Sequence, residues 1–138
     1  MRIIAIDPGE KRLGIAVSDP TGTIASPLTV LKHVSRLVDA ATIADLAQQH
    51  QATRIVIGFA PDEEGLPTPS SRRAERLAEA VKQQCEIPLV LWDESFSTQT
   101  ARQAQIAMGT PRHKRRGHMD HMAAVVILQT YLDSTENT

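Results

Sequence analysis

Residues 2–18 read RIIAIDPGEKRLGIAVS. From Arg2 to Ile6 the run is apolar without alternation, the pattern of a strand covered on both faces, and it ends on the carboxylate of Asp7. Pro8-Gly9-Glu10 is a turn, and Leu13–Ser18 is a second apolar strand. A third strand is expected over Thr23–Val30, after the turn Asp19-Pro20-Thr21-Gly22. Turns this short join antiparallel neighbours, so the chain opens as a pair of hairpins.

Working outward from there, Ser35 can cap a helix to about His50, with Leu37, Val38, Ala41, Ala44 and Leu46 expected near its inner face. Arg54–Gly58 is an apolar strand that follows a helix, which implies a crossover and parallel pairing. Residues 60–69 form a loop rich in Pro, Gly and acid. Thr68-Pro69 then reads as a cap with proline at the first helical position. That helix should run to about Gln84 and bury Ala74, Leu77, Ala78 and Val81. Ile87–Trp92 is read as another buried strand, ending at Asp93-Glu94. Ser97 can cap a short helix to about Met108, the basic run 112–116 is expected in a loop, and a last helix should span about His118–Leu132. Residues 133–138 are expected to be a flexible polar tail. The order β-β-β-α-β-α-β-α-α describes an α/β fold. Its mixed five-stranded sheet has three antiparallel strands then two parallel, with helices on both faces of a single domain spanning 1–138.

Composition sets limits on function. With 138 residues, 41% hydrophobic and 22% charged, the chain has the make-up of one globular domain. The single cysteine, Cys85, excludes an internal disulfide, and no cluster has zinc-ligand spacing. The N-terminal apolar run is too short for a signal h-region or a membrane span, so a cytoplasmic protein without membrane association is expected. A net charge of −1 excludes a generally basic nucleic-acid coat. The charge is nevertheless uneven: residues 112–116 read RHKRR, and Asp62, Glu63 and Glu64 cluster. Local fields of this kind govern contact with a polyanion. One Trp, one Tyr and two Phe leave few platforms for base stacking, which directs recognition to backbone and shape.

Three carboxylates fall where a purely structural one would be costly. Asp7 and Glu94 close apolar strands. Asp120 lies in the last helix with Ala123, Ala124 and Ile127 as its neighbours at i+3, i+4 and i+7. Desolvating an unpaired carboxylate costs several kcal/mol, so each needs a partner. A divalent cation is the simplest partner for all three, and oxygen-only ligands suit Mg²⁺ or Mn²⁺. Such an ion serves phosphodiester hydrolysis. Plainer readings stand beside this one: Asp before Pro-Gly is an ordinary turn former, Glu94 can be an exposed strand end, and Asp120 can pair with Arg116. Gly9 is read as supplying a turn with positive φ, and Gly14 as permitting close approach to the second strand. Lys11, Arg12, Ser97, Thr98, Arg112, Lys114, Arg115 and Arg116 are candidates for phosphate contact. Arg72, Arg73 and Arg76 could extend that patch, with surface solubility the plainer role.

The blocks DPGEKRLGIAVSD (7–19), IGFAP (57–61), DESFST (93–98) and RRGHMDHMAA (115–124) resemble, in the same order, the four blocks of the YqgF family, also called RuvX. The resemblance covers nearly the whole chain. It implies a ribonuclease-H-like fold and a metal-dependent nuclease, acting as a Holliday junction resolvase or maturing the 5′ end of pre-16S ribosomal RNA. It places the catalytic acids on Asp7, Glu94 and Asp120. Two departures stand out: Ser95 occupies the position where the family usually has Arg, and Gly58-Phe59-Ala60-Pro61 replaces the family's Gly-Leu-Pro. Two rivals from other classes remain at this point. One is half of a sugar-kinase or actin-like ATPase, for which the chain is short. The other is a non-catalytic nucleic-acid-binding factor in ribosome assembly. Branched DNA and precursor ribosomal RNA both fit as substrate, and monomer and homodimer both fit as assembly.

Overall fold

The computed structural model describes residues 1–93 and the helix 112–136, with side chains of that helix described from 122 to 134. The elements are β1 (Arg2–Pro8), β2 (Arg12–Ser18), β3 (Ala25–Lys32), α1 (Arg36–Gln49), β4 (Ala52–Phe59), α2 (Pro69–Gln84), β5 (Leu89–Asp93) and α3 (Arg112–Glu136). The five strands form one sheet in the order β3-β2-β1-β4-β5. β1 pairs antiparallel with β2, and β2 with β3; β1 pairs parallel with β4, and β4 with β5. This is the mixed sheet read from the sequence. The helix expected at Ser97–Met108 lies outside the described residues.

β1 sits at the centre of the sheet, and its residues alternate between two cores. Ile4 and Ile6 join Ile43, Ile55, Ile57, Leu77 and Val81 on the face covered by α1 and α2. Ile3 and Ala5 join Ala16, Val56, Ala124, Ile127 and Leu128 on the face covered by α3. That double burial is why the strand carries no alternation of polarity. Each fully buried Ile or Leu contributes about 1.5–3 kcal/mol. At the amino end, Ile3 N–H donates to the buried Ser18 Oγ (2.8 Å), so both groups are satisfied. β5 is tied to α3 by Trp92, which donates from Nε1 to Thr130 Oγ1 (3.1 Å) and meets Tyr131 edge-on at 5.4 Å.

α2 follows the sequence closely. Thr68 Oγ1 accepts from Ser71 N–H (3.0 Å) while Ser71 Oγ accepts from Thr68 N–H (2.8 Å), a reciprocal cap with Pro69 at the first helical position. Its buried residues include all four expected.

Several expectations need correction. The inner face of α1 is Asp39, Ala40, Ile43, Ala44 and Ala47, whereas Leu37 is 70% exposed. Of the five residues expected there, only Ala44 is buried, because small alanines let α1 pack closely and the bulkiest residues do not mark the face. β3 starts at Ala25 because the N–H groups of Thr23 and Ile24 are taken by Asp19 Oδ1 (2.8 and 3.0 Å). β5 is an edge strand, half-buried rather than buried, with Leu91 exposed. Arg112, Lys114, Arg115 and Arg116 lie in the first turns of α3 and not in a loop. Arg and Lys are good helix formers, and one interior Gly117 costs only about 1 kcal/mol. The helix also continues to Glu136, past the expected start of the tail. Finally, Gly9 is required for space rather than for positive φ. Its N–H donates to Arg12 O (2.9 Å), and a Cβ on Gly9 would stand 2.3 Å from that oxygen.

Three tests follow from this packing. Ile43→Ala should lose about 2–5 kcal/mol of unfolding free energy in urea, and Leu37→Ala under about 0.5; equal losses would contradict the α1 face described. Asp19 is held down at about 2 by N–H donation from Ile24, the Thr21 hydroxyl and N–H donation from Thr23. A carboxyl depressed on folding stabilises above its ordinary value near 3.8 and loses that stabilisation as pH falls through about 2. The Tm gap between wild type and Asp19→Asn should therefore close as pH drops from 4 toward 2. Gly9→Ala should lower Tm by several degrees, on the order of a 1–3 kcal/mol overpacking penalty.

Candidate active site

Parallel pairing makes β1, β4 and β5 end on the same edge of the sheet. The register pairs Ile6 with Ile57 and Phe59 with Asp93. The carboxyl ends of the three strands therefore bring Asp7, Gly58–Phe59 and Asp93 to one line. Glu94 follows Asp93 directly in the chain, and its own placement lies outside the described residues.

Alternation settles the direction of Asp7. Ile3 and Ala5 face α3, so Asp7 projects from the same face, next in the series. It is half-buried. Its partner on β2 is Gly14, and the β1–β4 register brings Gly58 level with it on the other side. Ala16 and Val56 belong to the α3-side core, so Gly14 and Gly58, two residues along each strand, share the face of Asp7. The carboxylate thus stands between two positions that have no side chain. Bulky neighbours there would fill the space over its oxygens. Gly14 was legible in the sequence as a point of close approach. Gly58 was not singled out, although the IGFAP block contains it.

α3 runs back along this face. Gln129 Oε1 accepts from Ala25 N–H (3.0 Å) and its Nε2 donates to Thr23 O (3.0 Å). Arg54 Nη1 donates to Tyr131 Oη (2.6 Å). Ala25 pairs with Ser18, and Arg54 with Ile3, so both bonds anchor this part of α3 at the amino end of β1. Leu128, Ile127 and Ala124 are fully buried in the same core. Asp120 lies in α3 four residues before Ala124, with its side chain outside the described residues.

The phosphate-contact candidates divide in the same way. Lys11 and Arg12 are exposed at the β1–β2 turn, on the edge where Asp7 sits. Arg112, Lys114, Arg115 and Arg116 lie in the first turns of α3 with side chains outside the described residues, and Ser97 and Thr98 fall wholly outside them. Among the described residues no three of His, Cys, Asp or Glu form a metal-holding group. Among the same residues no helix is long and apolar enough to cross a membrane.

One feature was not assembled from the sequence. A cavity of about 500 Å³ opens beside Pro8 and Gly9, between α1 and α2 on the opposite face from Asp7. Arg36, Arg72, Arg73 and Arg76 line it together with His33 and Asp39. The sequence signal was the run of arginines in α2, which had a plainer explanation as surface charge.

Known proteins with this architecture identify it. The RuvC of Thermus thermophilus, solved with Holliday junction substrate, superposes with a TM-score of 0.65 at 16% identity, covering 100% of this chain and 97% of that one. The fowlpox virus resolvase, solved with Holliday junction DNA, gives 0.55 at 11%, covering 98% and 99%. These likenesses show the ribonuclease-H-like fold. In sequence, a relative from Thermoanaerobacter pseudethanolicus named as a pre-16S rRNA nuclease is 37% identical over 138 residues, 99% of each chain. Another of that name from Bacillus licheniformis is 36% identical, covering 97% of this chain and 98% of its own. A family model described as RuvX: Holliday junction resolvase matches residues 1–134, and the chain belongs to that family.

Proposed function

We propose that this chain is a divalent-metal-dependent endonuclease of structured nucleic acid, with Asp7, Glu94 and Asp120 as the metal-holding acids. The observation that carries this reading is the setting of Asp7: a half-buried carboxylate on the carboxyl edge, facing α3 between Gly14 and Gly58. Distances along the backbone support the third acid. Position 120 is about 16 Å back along α3 from Tyr131 at ~1.5 Å per residue. Asp7 is about 13 Å along β1 from Ile3 at ~3.3 Å per residue. Tyr131 is bonded to Arg54, the β4 partner of Ile3, and the similarity of these two lengths supports Asp120 as an acid on the edge that carries Asp7. Glu94 supplies the acid that follows β5.

Three carboxylates offer only oxygen, and that donor set fits Mg²⁺ or Mn²⁺. When bound, such ions supply a nucleophile at neutral pH and neutralise charge on the phosphorus oxygens and the leaving oxygen. The protein's own part is to fix the acids on two strand ends and one rigid helix. Gly14 and Gly58 keep side chains away from the scissile phosphate. Lys11 and Arg12 hold the strand on one side of Asp7, and Arg112, Lys114, Arg115, Arg116, Ser97 and Thr98 complete the grip. Contacts of this sort fix register on the backbone and read no base. The substrate is branched DNA or precursor 16S ribosomal RNA in the cytoplasm, and the working unit is a monomer or a homodimer.

Purified chain should cleave labelled junction DNA or pre-16S RNA with Mg²⁺ or Mn²⁺ and stop when EDTA is added. Asp7→Asn should lower the single-turnover rate by about a thousandfold, a loss of several kcal/mol of charge stabilisation. Unaltered cleavage by Asp7→Asn would remove it from the mechanism. Tight binding with no cleavage in any divalent metal would leave a binding factor in place of a nuclease.

A further inference from the structure

We infer that the arginine-lined cavity between α1 and α2 is a second phosphate-binding site, which holds the backbone of the same nucleic-acid strand on the far side of the β1–β2 turn from Asp7. Arg36, Arg72, Arg73 and Arg76 all line one space of about 500 Å³. Among the described residues none of their guanidiniums makes a hydrogen bond or an ion pair with another protein group. Like charges gathered around a cavity repel, and an anion relieves that repulsion.

Asp39 is the one carboxylate in the lining, and its charge is already engaged. Oδ1 accepts from Val34 N–H (3.1 Å), and Oδ2 meets His33 Nδ1. It is buried, and the arginines are left for another partner. The backbone adds to the positive field. Arg36 is the first residue of α1, and Pro69 is the first residue of α2. Both helix N-termini therefore open on the cavity with their dipoles' positive ends. Cations are unfavourable at such ends, yet the first turn of α2 has no acid and is followed by Arg72 and Arg73. A planar guanidinium pairs with phosphate through two parallel bonds, which suits this residue choice.

Position decides for a strand rather than a free small anion. Pro8 and Gly9 line the cavity and follow Asp7 directly, so the two sites share one edge of the sheet on opposite faces. Lys11 and Arg12 are exposed on the turn between them. A strand passing over the β1–β2 turn meets cations continuously from one face to the other. The inference rests on the proposed nucleic-acid substrate but not on its cleavage.

The test measures binding alone. Fluorescence anisotropy of labelled junction DNA and pre-16S RNA fragments, in EDTA at several salt concentrations, compares the full wild-type chain with Arg72→Ala/Arg76→Ala. The double variant should bind about tenfold more weakly or worse, and its log K against log salt slope should be shallower by about 2, one for each lost phosphate contact. Arg72→Lys/Arg76→Lys should recover most of the slope, and an unchanged Tm for both variants shows that the fold is intact. Slope and affinity equal to wild type would overturn the inference. A mononucleotide or inorganic phosphate that binds tightly and needs these arginines, while strand binding does not, would also overturn it in favour of a small-anion site. Absence of cleavage in any metal, with arginine-dependent binding retained, would sink the nuclease reading and leave this one standing.

Discussion

The arrangement depends on one constraint: β1 is buried on both faces up to Ile6, and the next residue is a carboxylate. Such a strand has to lie at the centre of a covered sheet, because neither face can meet water without exposing Ile or Ala. Covering both faces needs helices on both sides, and the crossovers through α1 and α2 then set β4 and β5 parallel to β1. Parallel strands end together, so the same burial that fixes the core also fixes the edge on which Asp7 and the end of β5 both lie, with the end of β4 between them. In open sheets with parallel strands, ligands bind outside the carboxyl ends.

That edge divides into two chemical environments because strand neighbours alternate. Asp7 faces α3 between two glycines, whereas Pro8 and Gly9 border the cavity under α1 and α2. In the function proposed, the first side supplies carboxylate oxygen for a hard cation, and in the further inference the second supplies guanidinium for phosphate. A polyanion held against acids needs both kinds of group close together, since carboxylates alone repel it. Gly9 keeps the two sides close: its N–H closes the turn on Arg12 O, and no side chain fits in the space.

Much of this was legible in the sequence where periodicity and local chemistry agree. The double-sided apolar run of β1 gave the central strand, and Thr68-Pro69 with the spacing of Ala74, Leu77, Ala78 and Val81 gave α2. α1 was legible as a helix but not by its face. Its core contacts are mostly alanines, and Leu37 and Val38 point away from the core in spite of their size. The start of β3 was hidden because Asp19 withdraws the backbone donors of Thr23 and Ile24 into its turn. Turn chemistry there overrides a good strand sequence.

The site divides along the same lines. Asp7 and Gly14 belong to one hairpin, whose register follows from a short turn, so their pairing could be anticipated. Gly58 reaches Asp7 only through the β1–β4 crossover, about fifty residues away in the chain, and no local pattern announces that register. The arginine cavity is still less local. It needs the start of α1, the start of α2 and the β1–β2 turn to meet, and the arginines that the two helices contribute look like ordinary surface when read alone. Arg72, Arg73 and Arg76 spaced along one helix are uninformative until Arg36 and the Gly9 backbone stand opposite them. What singles them out is the lack of carboxylate partners among the described residues, a property of the assembled fold and not of any segment.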